Sequence, residues 1–285
     1  MEQKTVLAIQ PAGQLKDQLS QILPYPEWTI QETTSNAEAL ELVKSNRFEL
    51  ILTGDSTSGK EDVELLRSIR RVHRHTRMII LTDDSTPADV LEAMRHRAFS
   101  YFSCPYSLAA LADMVKHAIS GPYWDDGIEI ISVAPSWVRL LARCDPMTAD
   151  RLLQFVDEMI DLPEHEKQVV GTALRELLIN AIEYGGHFDP EQFVEMSYFR
   201  TRRAVACRVK DPGEGFSFDE ITHSALSNPP GDPLRHLNHR DAMSLRPGGF
   251  GLLLARDSVD ELIYNDKGNE VLLIKYVDQP GTQIT

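Results

Sequence analysis

Cysteine is scarce in this chain: Cys104, Cys144 and Cys207 are the only three among 285 residues. They are odd in number and scattered, with no C-x-x-C spacing. That excludes a disulfide framework and a cysteine-rich metal site, and it suits a reducing compartment. Long apolar runs are lacking as well. None reaches the roughly 18 residues a membrane span needs. The opening stretch MEQKTVLAIQ has neither the long apolar core nor the small-residue cleavage site of a secretory signal. A cytoplasmic protein with no membrane partner is therefore expected. Basic charge is short, with 29 Lys and Arg against 43 Asp and Glu, a formal net charge of -14. Such a chain repels phosphate backbones, so direct nucleic-acid binding is not expected. An acidic protein fits better with protein partners, or with a nucleotide held through backbone groups and a metal. Internal repeats and low-complexity tracts are absent too. What remains is the composition of a globular protein, 42% hydrophobic and 25% charged, long enough for two domains.

The first 120 residues alternate short apolar runs with amphipathic stretches. TVLAIQ, WTIQETT, FELILT, RMIILT and FSYFS read as five strands. FELILT and RMIILT are nearly continuous apolar runs, as expected of strands buried on both faces. Helix starts lie between them: the capping-box pattern Ser35-x-x-Glu38, Thr86 before Pro87 at a first helical position, and Ser107 before LAALADMVKHAI. Five such βα units predict a parallel sheet with helices on both faces. SGPYWDDG, residues 120–127, breaks the rhythm and marks a boundary. Beyond it, IEIISV reads as a strand, followed by helices near 147–160 and over 164–184. FVEMSYFR and AVACRVKD read as strands. A Pro-, Gly- and His-rich stretch covers 216–247. A helix at GGFGLLLARDSV and strands at ELIYND and EVLLIKY follow. This grouping predicts an α+β sandwich.

Residues 1–121 resemble the receiver domain of bacterial response regulators, on the strength of FELILTGDSTSGKEDVELLRSIR, MIILTDD and AFSYFSCPYS. The resemblance implies a flavodoxin-type α/β fold. It also implies an acidic pair for Mg²⁺ after the first strand, a phosphorylated Asp ending the third, a Thr or Ser after the fourth, and a Lys before Pro after the fifth. Here Gln10-Pro11 replaces the acidic pair, Gly54 falls at the acceptor position and Cys104 precedes Pro105. Only Thr82 remains. Without acidic ligands a divalent ion has little to bind, and phosphoryl transfer needs that ion. The expectation is a degenerate receiver that serves for docking or dimerisation. Two alternatives stay open: a bulge that brings Asp55 into the acceptor position, and an unrelated flavodoxin-like domain.

In the second half, Glu176 and Asn180 stand four apart in ALRELLINAIEYGG and so project from one side of a helix. They border the apolar stripe of Val170, Ala173, Leu174, Leu177, Leu178 and Ala181. Further along, VKDPGEGF ends a strand in Asp211-Pro-Gly213-Glu-Gly215. RPGGFGLLLAR sets Gly248, Gly249 and Gly251, then Leu252, at a helix start, where backbone N–H groups and the helix dipole favour phosphate. The ordered set E-x-x-x-N, D-x-G-x-G, G-G-x-G-L resembles the Bergerat (GHKL) ATP-binding fold of gyrase, the histidine kinases and MutL. The likeness covers 128–278, with 122–127 as linker. It implies ATP and Mg²⁺ as cofactors. Asn180 would ligate Mg²⁺, and Asp211 would accept from the adenine amino group. Gly213 and Gly215 would lie beside the base; Gly248, Gly249, Gly251 and Leu252 would form the phosphate end. Residues 216–247 would be the lid. Gly268-Asn269-Glu270 departs from the pattern, since many relatives carry a Thr there near the adenine.

Within this fold the chain is most similar to the anti-sigma-factor serine kinases of bacterial partner switching. That likeness implies that Glu176 orients or deprotonates the acceptor hydroxyl of a Ser or Thr. The implied substrate is a STAS-type anti-anti-sigma protein, with a sigma factor as second partner and homodimerisation as a further option. A carboxylate there could equally align water for hydrolysis. His165-Glu166 mimics a histidine-kinase phosphoacceptor pair but lies on the helix that carries Glu176, with no dimerising hairpin before it. His236 and His239 share a helix face without a third metal ligand. Arg246, before the Gly turn, is placed to reach a γ-phosphate or to be ordinary surface. Trp137 and Phe155 read as packing residues, and Glu183 as solvated. A non-catalytic scaffold, and a response regulator with an ATPase-like output domain, are the competing readings.

Overall fold

The computed structural model describes residues 4–10, 14–24, 26–54, 57–120, 127–134, 136–216, 232, 235–242 and 251–277. The chain divides into two compact units. One is Met1–Asp126 with Gln154–Met159, the other Gly127–Leu153 with Ile160–Thr285.

In the first unit, strands β1 (Lys4–Ile9), β2 (Trp28–Thr33), β3 (Leu50–Thr53), β4 (Arg77–Thr82) and β5 (Ser100–Ser103) alternate with helices α1 (Gln14–Ile22), α2 (Asn36–Ser45), α3 (Gly59–Val72), α4 (Pro87–Arg95) and α5 (Leu108–Ser120). The sheet order is β2-β1-β3-β4-β5, and every pairing is parallel. Every residue of β3 and β4 is buried, which is why their sequences lack alternation. Along each strand alternate residues face opposite sides. Val6, Leu50, Leu52, Ile79 and Leu81 join Leu15, Leu19 and Val115 in one cluster. The helix starts are fixed locally. Ser58 and Glu61 form a complete capping box on α3, as do Thr86 and Asp89 on α4 behind Pro87. At α2 only half of the expected box forms. Ser35 accepts from the Glu38 N–H, but the Glu38 carboxylate turns to the Thr33 hydroxyl and the Thr34 N–H.

The second unit is built on one six-stranded sheet in the order β10-β11-β9-β8-β7-β6. Its strands are β6 (Ile128–Ala134), β7 (Trp137–Arg143), β8 (Phe193–Arg200), β9 (Ala204–Lys210), β10 (Glu261–Tyr264) and β11 (Glu270–Tyr276). All pairs are antiparallel, with a register shift in β6 between Ile130 and Ser132. Helices α7 (Glu164–Asn180), α8 (Arg235–Ala242) and α9 (Gly251–Ser258) complete it, with the first part of α6 (Pro146–Met159), whose last six residues, Gln154–Met159, group with the first unit. Val138, Leu140, Val194, Met196, Val205 and Cys207 face inward and are buried, as is the α7 stripe from Val170 to Leu178. Helix α7 lies against β9, β11 and α9. Three features differ from the sequence expectation. Strand β7 is present where no element is predicted. Helix α7 ends at Asn180 and continues as a single π-turn, Ala181–Gly185. The stretch 216–247 contains helix α8. Among the described residues no helix is long and apolar enough to cross a membrane.

The first unit also buries an acid. Asp62, in the first turn of α3, is fully inaccessible and accepts from Asn36 Nδ2 at 2.8 Å and Thr57 Oγ1 at 2.9 Å. Burial pushes its carboxyl from 3.8 up to about 6, against the pull of those donors. The folded chain thus holds this proton more tightly than the unfolded chain. The stabilisation is complete below about pH 4 and is lost as pH rises through about 6. Asp62→Asn removes this loss. In urea unfolding the variant should gain about 2 kcal/mol on the wild type between pH 4.5 and pH 7.5; a gap that does not change with pH would refute the assignment.

Candidate functional site

Glu176 and Asn180 lie one turn apart at the edge of the buried α7 stripe, each half-buried. Among the described residues neither side chain has a hydrogen-bond or ion-pair partner. Helical geometry places them together, and the helix offers them nothing to bind.

The π-turn that follows brings the helix end to the end of β9. A Cβ on Gly185 would stand 2.3 Å from the carboxyl carbon of Asp211, so only glycine lets the two meet. Asp211 Oδ1 accepts from the Gly213 N–H at 2.8 Å, while Oδ2 has no donor among the described residues. Burial raises the Asp211 carboxyl above its ordinary value, partly offset by the Gly213 N–H and the Lys267 ammonium. The result is a half-buried acceptor held still by a tight turn, with one oxygen available.

The β10–β11 turn clamps that loop from the other side. Asp211 donates its N–H to the Asn269 carbonyl at 3.0 Å. Asn269 is 6% exposed, and its amide Nδ2 donates to the carbonyls of Asp211 at 3.3 Å and Gly213 at 3.5 Å. Its Oδ1 accepts from Asn265 Nδ2 at 3.0 Å. Lys267 Nζ donates to the Gly213 carbonyl at 2.9 Å. Gly215 has φ +81°, and a Cβ there would stand 1.9 Å from the Lys267 carbonyl oxygen, so a side chain is excluded both by conformation and by space. Sequence reasoning marks Asn269 only as the loss of a Thr; its amide is in fact the main polar tie of the D-x-G-x-G loop. The available signal was the isolated Asn pair, Asn265 and Asn269, around a Gly turn.

At the proposed phosphate end, Gly251 opens α9, Leu252 lies in its first turn, and α9 packs on α7. Gly248, Gly249 and Arg246 lie outside the described residues. So does most of the 216–247 stretch. His236 and His239 lie on α8, His165 and Glu166 in the first turn of α7, and Glu183 in the π-turn. Phe216 packs edge-on against Tyr264 with ring centroids 5.4 Å apart. Among the described residues no group of three or more His, Cys, Asp or Glu is arranged to hold a metal.

In the first unit the receiver positions are filled by other contacts. Gln10 Oε1 accepts from the Leu15 N–H at 2.9 Å. A Cβ at Gly54 would lie 2.9 Å from both Cβ and Cγ of Gln10, so the space for an acceptor side chain is taken. The Thr82 hydroxyl donates to the Thr57 carbonyl at 3.0 Å. Asp55 lies outside the described residues.

Gly185→Ala should cost about 1–3 kcal/mol in urea unfolding, because the new methyl must displace Asp211. Asn269→Ala should cost about 1–3 kcal/mol, because it removes the amide donor from the half-buried Asp211 carbonyl and leaves Gly213 with Lys267 alone. Losses below about 0.5 kcal/mol for both, the range of ordinary surface substitutions, would contradict the clamp.

Two family profiles match the chain. One, described as "Response regulator receiver domain", covers residues 6–116; the other, "Histidine kinase-like ATPase domain", covers 142–275. No curated protein matches. Among solved structures the chain is similar to a CheY-like receiver domain protein from Methanospirillum hungatei, at 19% identity over 41% of this chain and 94% of that one, TM-score 0.37. It is similar to chemotaxis protein CheY4 of Vibrio cholerae at 18% identity over 41% and 98%, TM-score 0.35. A response regulator from Thermotoga maritima gives 19% identity over 42% and 99%, TM-score 0.37. With the parallel sheet of the first unit and the antiparallel sheet of the second, the chain joins a receiver domain to a histidine-kinase-like ATPase domain.

Proposed function

We propose that this protein is an ATP-dependent serine/threonine protein kinase of the anti-sigma-factor type, acting in cytoplasmic partner switching and docked through its degenerate receiver. The observation that carries the reading is the side-by-side placement of two unpartnered polar groups, Glu176 and Asn180, on the helix whose terminal turn receives Asp211.

The residues fit Mg-ATP. Asp211 offers an acceptor oxygen to an exocyclic amine, on a loop braced by Asn269 and Lys267. The Asn180 amide oxygen is a hard ligand of the kind Mg²⁺ takes, alongside phosphate oxygens and water. Bound Mg-ATP would supply the phosphoryl group. Glu176 would take the proton of the attacking hydroxyl and hold it in line. Asn269 and Lys267 would keep the base-side loop in place. The acceptor is proposed to be a Ser or Thr on a STAS-type partner, with a sigma factor as the second protein held. The receiver's substitutions at positions 10, 54 and 104 favour a docking role over a phosphorylated one. They also favour a second reading, a nucleotide-holding scaffold that controls a partner by sequestration.

The test uses the full chain with γ-labelled ATP, Mg²⁺ and a STAS-domain partner. Label on a partner Ser or Thr is expected. Glu176→Ala should slow its appearance by about 10²–10⁴-fold while keeping the melting shift. Saturation with Mg-ATP at 100 times Kd should stabilise the native state by about 2.7 kcal/mol. A melting shift without label supports the scaffold; neither label nor shift sinks both readings.

A further inference from the structure

The chain is acidic, yet its arginines are not spread evenly. Residues 65–82 hold Arg67, Arg70, Arg71, Arg74 and Arg77, with His73 and His75 and no Asp, Glu or Lys. Residues 93–112 hold Arg95, His96 and Arg97 and again no acid. The fold of the first unit brings the two stretches together. Helices α3 and α4 lie side by side, and Arg70 at the end of α3 donates to the carbonyls of Arg74 and Arg97. Arg77 is buried over the Phe99 ring and takes no part. Arg67, Arg71, Arg74, Arg95 and Arg97 are exposed, as is His75. Arg67 and Arg71 stand four apart on α3 and so share one side of it. Arg67 also lies close to the end of α4: burial first, then the Arg67 charge, holds the His96 imidazole below its ordinary pKa. Arg95 pairs with Glu92 at 2.6 Å. Arg67, Arg71, Arg74 and Arg97 have no acidic partner among the described residues.

Helix dipoles explain part of this. Cations favour the last turn of a helix, where Arg70 and Arg71 lie on α3 and Arg95 on α4. Dipoles do not explain Arg67, which lies before the last turn, nor Arg74 and Arg97, which lie past the helix ends. Like charges four apart weaken a helix. Arg97 carries a cost of its own. Its N–H bonds the Met94 carbonyl at 2.9 Å, and the Ala98 N–H bonds the Ala93 carbonyl at 2.8 Å, the paired bonds of a helix end that usually holds glycine. Arg97 accordingly has φ +61°, a conformation that glycine adopts freely and arginine does not. Strain and repulsion retained side by side are characteristic of a binding surface.

We propose that the arginines at the ends of α3 and α4 form a docking surface for an acidic polypeptide segment, a short run of Asp and Glu on a protein partner. A guanidinium group presents a planar fork that meets a carboxylate with two parallel hydrogen bonds. The patch is confined to two neighbouring helix ends, and the chain outside it is more acidic than the chain as a whole, whose formal charge is -14. Salt limits the reach of such a field to about 8 Å under physiological conditions. A short acidic segment stays within that reach. A nucleic-acid rod or an anionic membrane extends past it and meets the acidic remainder. The described residues of the first unit also lack an exposed aromatic side chain on which a base could stack; their exposed large apolar residues are Val72 and Leu108. The surface gives the docking role proposed for the first unit a place and a chemistry. It uses none of the residues assigned to the nucleotide and needs no ATP, so it stands or falls apart from the kinase reading.

Fluorescence anisotropy of a labelled decaglutamate peptide, titrated with the full chain, tests the surface. Binding is expected at low salt, and none for decaglutamine. Arg71→Glu with Arg97→Glu should weaken it by about tenfold or more, with circular dichroism unchanged. Lys60→Glu, an equal charge change in the first turn of α3, should leave it within about twofold. Arg97→Gly should weaken binding and raise the melting temperature together, because glycine relieves the helix end. An Arg97→Gly variant that loses stability and keeps its binding counts against the surface. No binding of decaglutamate, or equal binding by the wild type and the double variant, overturns the proposal. So does tighter binding of duplex DNA or of phosphatidylserine vesicles through the same arginines.

Discussion

The carboxylate of Asp211 packed against the Cα of Gly185 is the contact on which the second unit's site depends. It joins the end of a central helix to the end of a central strand at a distance no side chain could share. To make the approach, the helix departs from α geometry for one turn, Ala181–Gly185, as π-turns often do at functional positions. From there the constraint spreads outward. The Gly213 N–H fixes the carboxylate, the Asn269 amide and Lys267 fix the Gly213 carbonyl, and Gly215 lets the Lys267 backbone close over the loop. One oxygen of Asp211 is left for something outside the chain. Glu176 and Asn180 stand on the same helix, nine and five residues before Gly185. In the proposed function the fixed acceptor and the two unpartnered polar groups would hold opposite ends of one nucleotide.

The first unit keeps the receiver fold with other contacts at the positions where a receiver carries its acidic pair and acceptor. Its stability rests on strands buried on both faces and on capped helices, none of which needs acidic residues at the strand ends. Freed from that duty, the same corner of the sheet packs on itself. Gln10 caps the start of α1 and fills the space beside Gly54, and the Thr82 hydroxyl donates to the Thr57 carbonyl before α3. An acceptor aspartate at position 54 would now require Gln10 to move, so the change is not undone by a single substitution. These substitutions are what favour the docking role proposed for it.

Most of the fold was legible because it follows from burial. FELILT and RMIILT lack alternation because both faces are covered, and FVEMSYFR and AVACRVKD alternate because only one is. Strand β7 carries no clear alternation. In WVRLLAR, outward Trp137 and Leu141 are apolar and blur the two-residue period. The π-turn was hidden because nothing in AIEYGG announces a change of helical register; the cause, Asp211, lies 26 residues on. The Gly pair was visible, but what approaches it was not. The part Asn269 plays lies in its hydrogen bonds to the Asp211 and Gly213 carbonyls, more than 50 residues away in sequence. Long-range contacts of this kind leave no local period to read.

If Asp211 is a purine anchor, the chain should discriminate by the group that meets its free oxygen. Calorimetric titration of the full chain with ATP and with inosine triphosphate, both with Mg²⁺, measures this directly. Inosine carries a carbonyl where adenine carries the amino group, so Asp211 would face an acceptor in place of a donor. A site built around a hydrogen bond rejects an analogue that lacks it by about 10⁴-fold. ATP should therefore bind, and inosine triphosphate should bind weaker by several orders of magnitude. Equal affinity for the two, or no heat from either, would contradict the account.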